Sequence, residues 1–198
     1  MKALKIISGG QTGVDRAALD VALRHGIDCG GWCPAGRLDE FGKIPDNYPV
    51  QELQGAGFTG RTLQNVKDSD GTVVIYAAQL RGGTEQTVRF CDELERLYQL
   101  IDASRIATRD AAKLIADFVR KNAIGILNVA GPRQSEWPEG YGYAFRALST
   151  FLTLQPSPYE RLDRNGSNIT RNAVLLLDRA SRRSRRGSKP RTNRLRRH

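Results

Sequence analysis

The sequence predicts a three-layer α/β domain around a mostly parallel sheet, and three observations lead to it. Short apolar runs alternate with segments whose apolar residues recur at helical spacing, the pattern of strand–helix–strand units. Two of those runs are followed by a Gly-Gly pair placed between the run and a helical segment. The 198 residues suit one domain with its own core, and 39% hydrophobic with 26% charged residues is ordinary for a globular chain.

Taken in order, Leu4–Ser8 is short, apolar and β-prone, as a buried parallel strand should be. Val14, Ala17, Ala18, Val21 and Ala22 then recur on one helical face as far as Gly26, a natural stop. Residues 30–60, with "WCPAGRLDEFGKIPDNYP", are punctuated by Gly, Pro, Asp and Asn and read as one long loop, of a length often tied to function. "RTLQNVKDSD" is a short helix, followed by a buried strand at Thr72–Tyr76. Gly82 and Gly83 introduce a helix running to about Tyr98, and Leu100–Ile101 belong to a short strand. Asp110–Lys121 is amphipathic, "AIGILNVAGP" is a buried strand ending in a Gly-Pro turn, and Tyr141–Leu154 closes the domain as a helix.

The formal charge of +10 is not spread over this domain. Residues 179–198 hold ten of the 31 Lys+Arg and none of the 21 Asp+Glu, so residues 1–178 are formally neutral. The expected organisation is a domain over 1–154, an extension of uncertain structure over 155–178, and a disordered basic tail over 179–198. Such a tail is either a solvated extension or a contact for an acidic partner or nucleic acid. No apolar run approaches the roughly 20 residues of a membrane span, and the first residues lack a secretory pattern. The expected setting is the cytoplasm, without membrane contact. Three cysteines, with Cys29 and Cys33 in "CGGWC" and no second pair or nearby His, point to free thiols rather than a disulfide framework or zinc site.

In an open parallel sheet, ligands bind beyond the carboxyl ends of the strands. Three such ends carry suggestive loops. In "SGGQTGVD", Gly9, Gly10 and Gly13 let a backbone approach an anion, while Ser8, Gln11 and Thr12 add donors beside a helix N-terminus. The spacing matches neither the dinucleotide fingerprint nor the P-loop, and the same glycines would also serve a tight turn with Thr12 or Asp15 as helix cap. "AQLRGGTEQTV" repeats the arrangement with Gly82, Gly83 and Thr84, where Glu85 is either a first-turn carboxylate or an acid–base group. "NVAGPRQSE" offers Asn128, Gly131, Arg133 and Ser135, with Arg133 able to hold an oxyanion bidentately or to form a surface ion pair. Trp32 either stacks on a heterocycle or fills the core, Arg37 has the same ambiguity as Arg133, and Arg61 and Asn65 share a helix face towards the same region. His25 and His198 are the sole histidines, which argues against a Ser-His-Asp or Cys-His nucleophile.

Together, "IISGGQTGVDRAALDVALRHGIDCGGWCPAGR", "IPDNYPV", "RTLQNVKDSDGTVVI", "GGTEQTV" and "ILNVAGPRQS" resemble the family of molybdenum cofactor carrier proteins over about residues 4–154. The resemblance implies a Rossmann-like fold within the lysine-decarboxylase-like nucleotide-binding superfamily. It also implies a homo-oligomer, dimer or tetramer, that binds and protects molybdenum cofactor, with molybdate and similar oxyanions as further ligands. On the matching positions, Ser8, Gly9, Gly10, Gln11, Thr12 and Gly13 would form one wall of the site. Gly82, Gly83 and Thr84 would form another, with Trp32 and Arg133 contributing. No residue is assigned a catalytic or metal-ligating role. The rival class is an enzyme resembling the nucleoside-monophosphate phosphoribohydrolases of the same superfamily, in which Glu85 would act after its Gly-Gly-Thr turn.

Overall fold

The computed structural model describes residues 3–155. The expectations for 155–178 and 179–198 therefore lie, apart from Gln155, outside the described residues. The elements are β1 (Lys5–Ile7), α1 (Val14–Arg24), β2 (Asp28–Gly30), β3 (Trp32–Pro34), a 3-10 turn (Ala35–Arg37), β4 (Leu38–Asp39), β5 (Gly42–Lys43) and β6 (Gln51–Leu53). There follow α2 (Gly57–Lys67), β7 (Gly71–Tyr76), α3 (Gly82–Glu93), β8 (Tyr98–Asp102), α4 (Thr108–Lys121), β9 (Ile126–Ala130) and α5 (Gly140–Leu154). Five strands form the central sheet in the order β2-β1-β9-β7-β8, and every pairing is parallel. Helices α1 and α4 both pack on α5, while α2 and α3 pack together as a separate layer. This is the three-layer, Rossmann-like α/β architecture.

The helical periods translate directly into packing. Val14, Ala17, Ala18, Val21 and Ala22 are all fully buried, as are Ala111, Ala112 and Ile115 of α4. At about 0.8 kcal/mol per buried CH2, these faces fasten both helices to the sheet. Cys29, Cys33 and Cys91 are free and buried. Among the described residues no helix is long and apolar enough to cross a membrane.

Residues 30–60 are not a single loop. β2 supplies the sheet's edge beside β1, β3 pairs in parallel with β6, and β4 pairs with β5 as a hairpin. Strands of two or three residues are too short to display a period of two, and Gly31 and Pro34 interrupt the pattern further. Helix α2 begins at Gly57, one turn before Arg61. Helix α3 stops at Glu93, because Glu95 takes a positive φ of 52° and turns the chain into β8 at Tyr98.

Asn65, 2% exposed on α2, behaves as a piece of strand. Its Oδ1 accepts from the Trp32 N–H at 2.8 Å, and its Nδ2 donates to the Trp32 carbonyl at 3.0 Å. Asn65→Ala would leave both backbone groups without these partners, and a loss of about 2–3 kcal/mol is expected in urea denaturation. An unchanged midpoint would show that water replaces the amide at little cost.

Candidate functional site

The segments after β1, β7 and β9 enclose one cavity of about 30 Å³ with help from α2. Its walls are Gln11 and Asp15 after β1, Arg61 and Thr62 of α2, Gly83, Thr84 and Thr87 of α3, and Ala130, Gly131, Arg133 and Glu136 after β9. The position follows from topology. α1 packs on one side of the sheet and α2 and α3 on the other, so a crevice opens beyond the strand ends between them. At about 10–15 Å³ per water, the space holds two or three waters, or the bulk of one tetrahedral oxyanion.

Its charges come in pairs. Arg61 Nη1 lies 3.3 Å from Asp15 Oδ2, with side chains only 14% and 4% exposed. Burial pushes the Asp15 carboxyl above its ordinary range, against the opposing pull of Arg61 and of a hydrogen bond from the Gln11 backbone. Arg133 Nε lies 3.5 Å from Glu136 Oε1 in a more exposed pair. Arg133 also sits over the Phe58 ring, 6.0 Å from its centroid.

Three side chains of the wall hold polar atoms that are buried without a hydrogen-bond partner: Gln11 Oε1, Arg61 Nε and Thr84 Oγ1. A buried polar group left unpaired costs about 1–3 kcal/mol, and three such atoms belong to residues that line this one cavity. The first turn of α3 has no side-chain cap, and the Thr84 and Glu85 N–H groups donate to the Arg81 carbonyl, so its dipole and the N–H groups of Gly82 and Gly83 are what it presents at this end.

Of the residues singled out in the sequence, Gln11, Gly83, Thr84 and Arg133 line the cavity. Ser8, Gly9, Gly10, Thr12, Gly13, Gly82 and Trp32 are outside its wall. Ser8 Oγ donates to the Val129 carbonyl at 2.7 Å and ties β1 to β9. Gly9 has no side chain because the Arg61 guanidinium lies where one would be. A Cβ on Gly10 would face Ile44 and Val50. One on Gly13 would sit 2.5 Å from the Pro132 carbonyl oxygen, so Gly13 admits the segment after β9 to the start of α1. The N-cap of α1 is Gly13 itself, and neither Thr12 nor Asp15 caps the helix.

A strap formed by the β4–β5 hairpin holds this loop in place. Gln11 Nε2 donates to the Leu38 carbonyl at 2.8 Å, Arg16 pairs with Asp39 at 2.8 Å, and the hydroxyls of Thr12 and Ser135 donate to Glu40. Trp32 is partly buried and its Nε1 donates to Asp68 at 2.6 Å, at the C-terminal end of α2. Arg37 binds the carbonyls of Ile44, Pro45, Tyr48 and Val50, a structural role. Glu85 is exposed and outside the cavity wall. Asp15, Thr62, Thr87, Ala130 and Glu136 belong to the wall without having been assigned to it from sequence. Glu136 was within reach of such a reading, three residues beyond Arg133. Thr87, whose hydroxyl donates to the Gly83 carbonyl at 2.9 Å, lies one helical turn beyond that glycine.

Residues 6–152 match the model of the circularly permutated YpsA SLOG family, which covers the cavity and all of the central sheet but Lys5. The chain belongs to the circularly permutated YpsA family. A solved structure named a putative molybdenum carrier protein, from Syntrophus aciditrophicus SB, is 45% identical and superposes with a TM-score of 0.74. The similarity covers 76% of this chain and 96% of that one. A comparison with curated proteins finds no match. Among the described residues of this family member, no group of three or more His, Cys, Asp or Glu is placed to hold a metal ion.

Proposed function

We propose that this protein binds molybdenum cofactor at the cavity, shields it from oxygen and water, and releases it unconverted. The observation that carries the reading is the gathering of Gln11, Arg61, Thr84 and Arg133 around one cavity at the strand ends, beside the uncapped first turn of α3. The name of the Syntrophus aciditrophicus relative supports a molybdenum-linked cargo. At about 30 Å³, the cavity takes one end of such a ligand, since pockets that hold a whole drug-sized molecule run to about 300–1,000 Å³. In this reading Arg61, Arg133, Thr84 and the first turn of α3 receive the anionic end, and Gly9, Gly10 and Gly13 shape the wall behind them. The cofactor brings the oxo-metal chemistry. The chain supplies binding and exclusion of solvent.

The test incubates free cofactor with the full chain in air, then measures how much still activates a cofactor-free molybdoenzyme. Protection several-fold beyond an inert protein is expected. No protection, or release of free base from a nucleoside monophosphate instead, would move the site to the phosphoribohydrolase class. That class gains nothing from Glu85, which stands exposed outside the cavity.

A further inference from the structure

The cavity of about 30 Å³ has room for little more than one anionic group, so the rest of a ligand lies at its mouth. Arg133 leads there. It belongs to the wall, yet its side chain is 37% exposed, and its guanidinium stands over the Phe58 ring, 6.0 Å from the centroid. Phe58 is outside the wall and 44% exposed, in the first turn of α2. Arg61 and Thr62 follow it by three and four residues, so the helix sets all three on one face, and both of those line the cavity. The Thr62 hydroxyl donates to the Phe58 carbonyl at 2.9 Å, which ties the wall to the turn that carries the ring.

A single exposed apolar residue needs no explanation on most surfaces. This one is set apart by its surroundings. In "GFTGR" the ring has glycines at 57 and 60 as near neighbours, and a Cβ at Gly57 would meet nothing within 4 Å. Gly83, in the wall itself, is open in the same way. A guanidinium can hold an oxyanion by its edge while its face lies on a π-system, and an aromatic ring offers a flat heterocycle a face to stack on. We infer that Phe58, with Arg133 beside it, is the platform on which the planar heteroaromatic ring of the ligand stacks, and that Phe58 sets a preference for ring-bearing phosphate esters over plain sugar phosphates. This rests on the cofactor-binding reading above and gives the pterin a residue of its own. Stacking takes one face of that ring out of water, in keeping with the protective role.

The experiment titrates the full chain with neopterin monophosphate, guanosine 5′-monophosphate and ribose 5-phosphate separately, by isothermal calorimetry at constant pH and ionic strength. The pterin ester is expected to bind about tenfold or more tightly than the ribose ester. Phe58→Leu, checked for folding by its melting profile, should erase that advantage while leaving ribose 5-phosphate within about twofold, and Phe58→Tyr should keep it. Independently of any variant, the Phe58 ring protons should shift in NMR spectra on addition of the pterin ester and stay put with the ribose ester. A ring advantage for either heterocycle that Phe58→Leu abolishes supports the inference, and the tighter ester names the source; a purine preference would count against the cofactor reading alone. Equal binding of ring-bearing and plain esters would overturn the inference and leave the cavity as an anion site. So would an equal loss for all three probes in Phe58→Leu, since Phe58 would then merely hold Arg133 in place. No binding of any probe at millimolar concentration would overturn both the inference and the assignment of this cavity to an anion.

Discussion

Arg61→Met is expected to destabilise the folded chain by about 3–5 kcal/mol at neutral pH, the usual cost of removing one partner from a buried ion pair. The reason is what remains. Asp15 is 4% exposed, and its carboxyl would lose the guanidinium 3.3 Å away. Methionine fills much of the volume beside Gly9, so the loss would report charge rather than a cavity. The pH dependence carries the sign. The Asp15 pKa is already raised in the folded state by burial, with Arg61 opposing the rise. A carboxyl raised on folding contributes stability below its unfolded pKa and loses it as pH climbs through the folded value. Without Arg61 the folded value climbs further, so the variant's deficit should be largest at pH 7 and shrink towards pH 4. Denaturant titrations at several pH values would show this, and a deficit independent of pH would mean that Asp15 is not what suffers. Asp15→Asn in the same background should restore part of the loss.

Gly13→Ala should cost a similar amount, about 3–5 kcal/mol, by a different route. Gly13 has φ 73° and ψ −129°, a region that side chains avoid at about 1–3 kcal/mol. An added methyl would also stand 2.5 Å from the Pro132 carbonyl oxygen and 2.9 Å from the Gln134 nitrogen, backbone atoms with no rotamer to yield. Overpacking of that kind adds about 1–3 kcal/mol. Gly26→Ala is the control: φ is +65°, but nothing lies within 4 Å, so it should lose only about 1–2 kcal/mol. Equal losses for the two variants would remove the contact from the argument. Because the displaced segment carries Arg133, ligand affinity in Gly13→Ala should fall along with stability.

What the amino-acid sequence disclosed depended on the length of the signal. Helices α1 and α4 were readable because about three to four turns of apolar spacing leave no other reading, and the buried strands β7 and β9 because five or six mostly apolar residues sit between turn signals. The short strands of residues 28–53 escaped, since pairing between β3 and β6 is a property of two distant segments and of Asn65, not of local composition. The site was legible in location more than in membership. Gly-rich turns at strand ends drew attention to the crevice that holds the cavity, while Gly9 and Gly13 serve contacts of protein with protein: Gly9 seats Arg61, and Gly13 seats the segment after β9. Asp15 was hidden by its position, because an acid in the first turn of a helix ordinarily reads as a cap. Only the fold brings it to Arg61, 46 residues away.

The sheet order β2-β1-β9-β7-β8 has a consequence for synthesis. Among the described residues the strand made last, Ile126–Ala130, occupies the centre, and there β1–β2 joins β7–β8 through it alone. Until the ribosome has delivered that strand, the nascent chain holds two separate strand pairs, each too small to persist and each with an open edge. At about 5–20 residues per second, the edge of β1 waits on the order of ten seconds for its partner. During that interval the growing polypeptide is exposed to mispairing and depends most on chaperones. A lesion that unseats Ile126–Ala130 would split the sheet in two instead of fraying one side of it, so folding yield in the cell should respond to changes there more steeply than to changes of equal burial in β2 or β8.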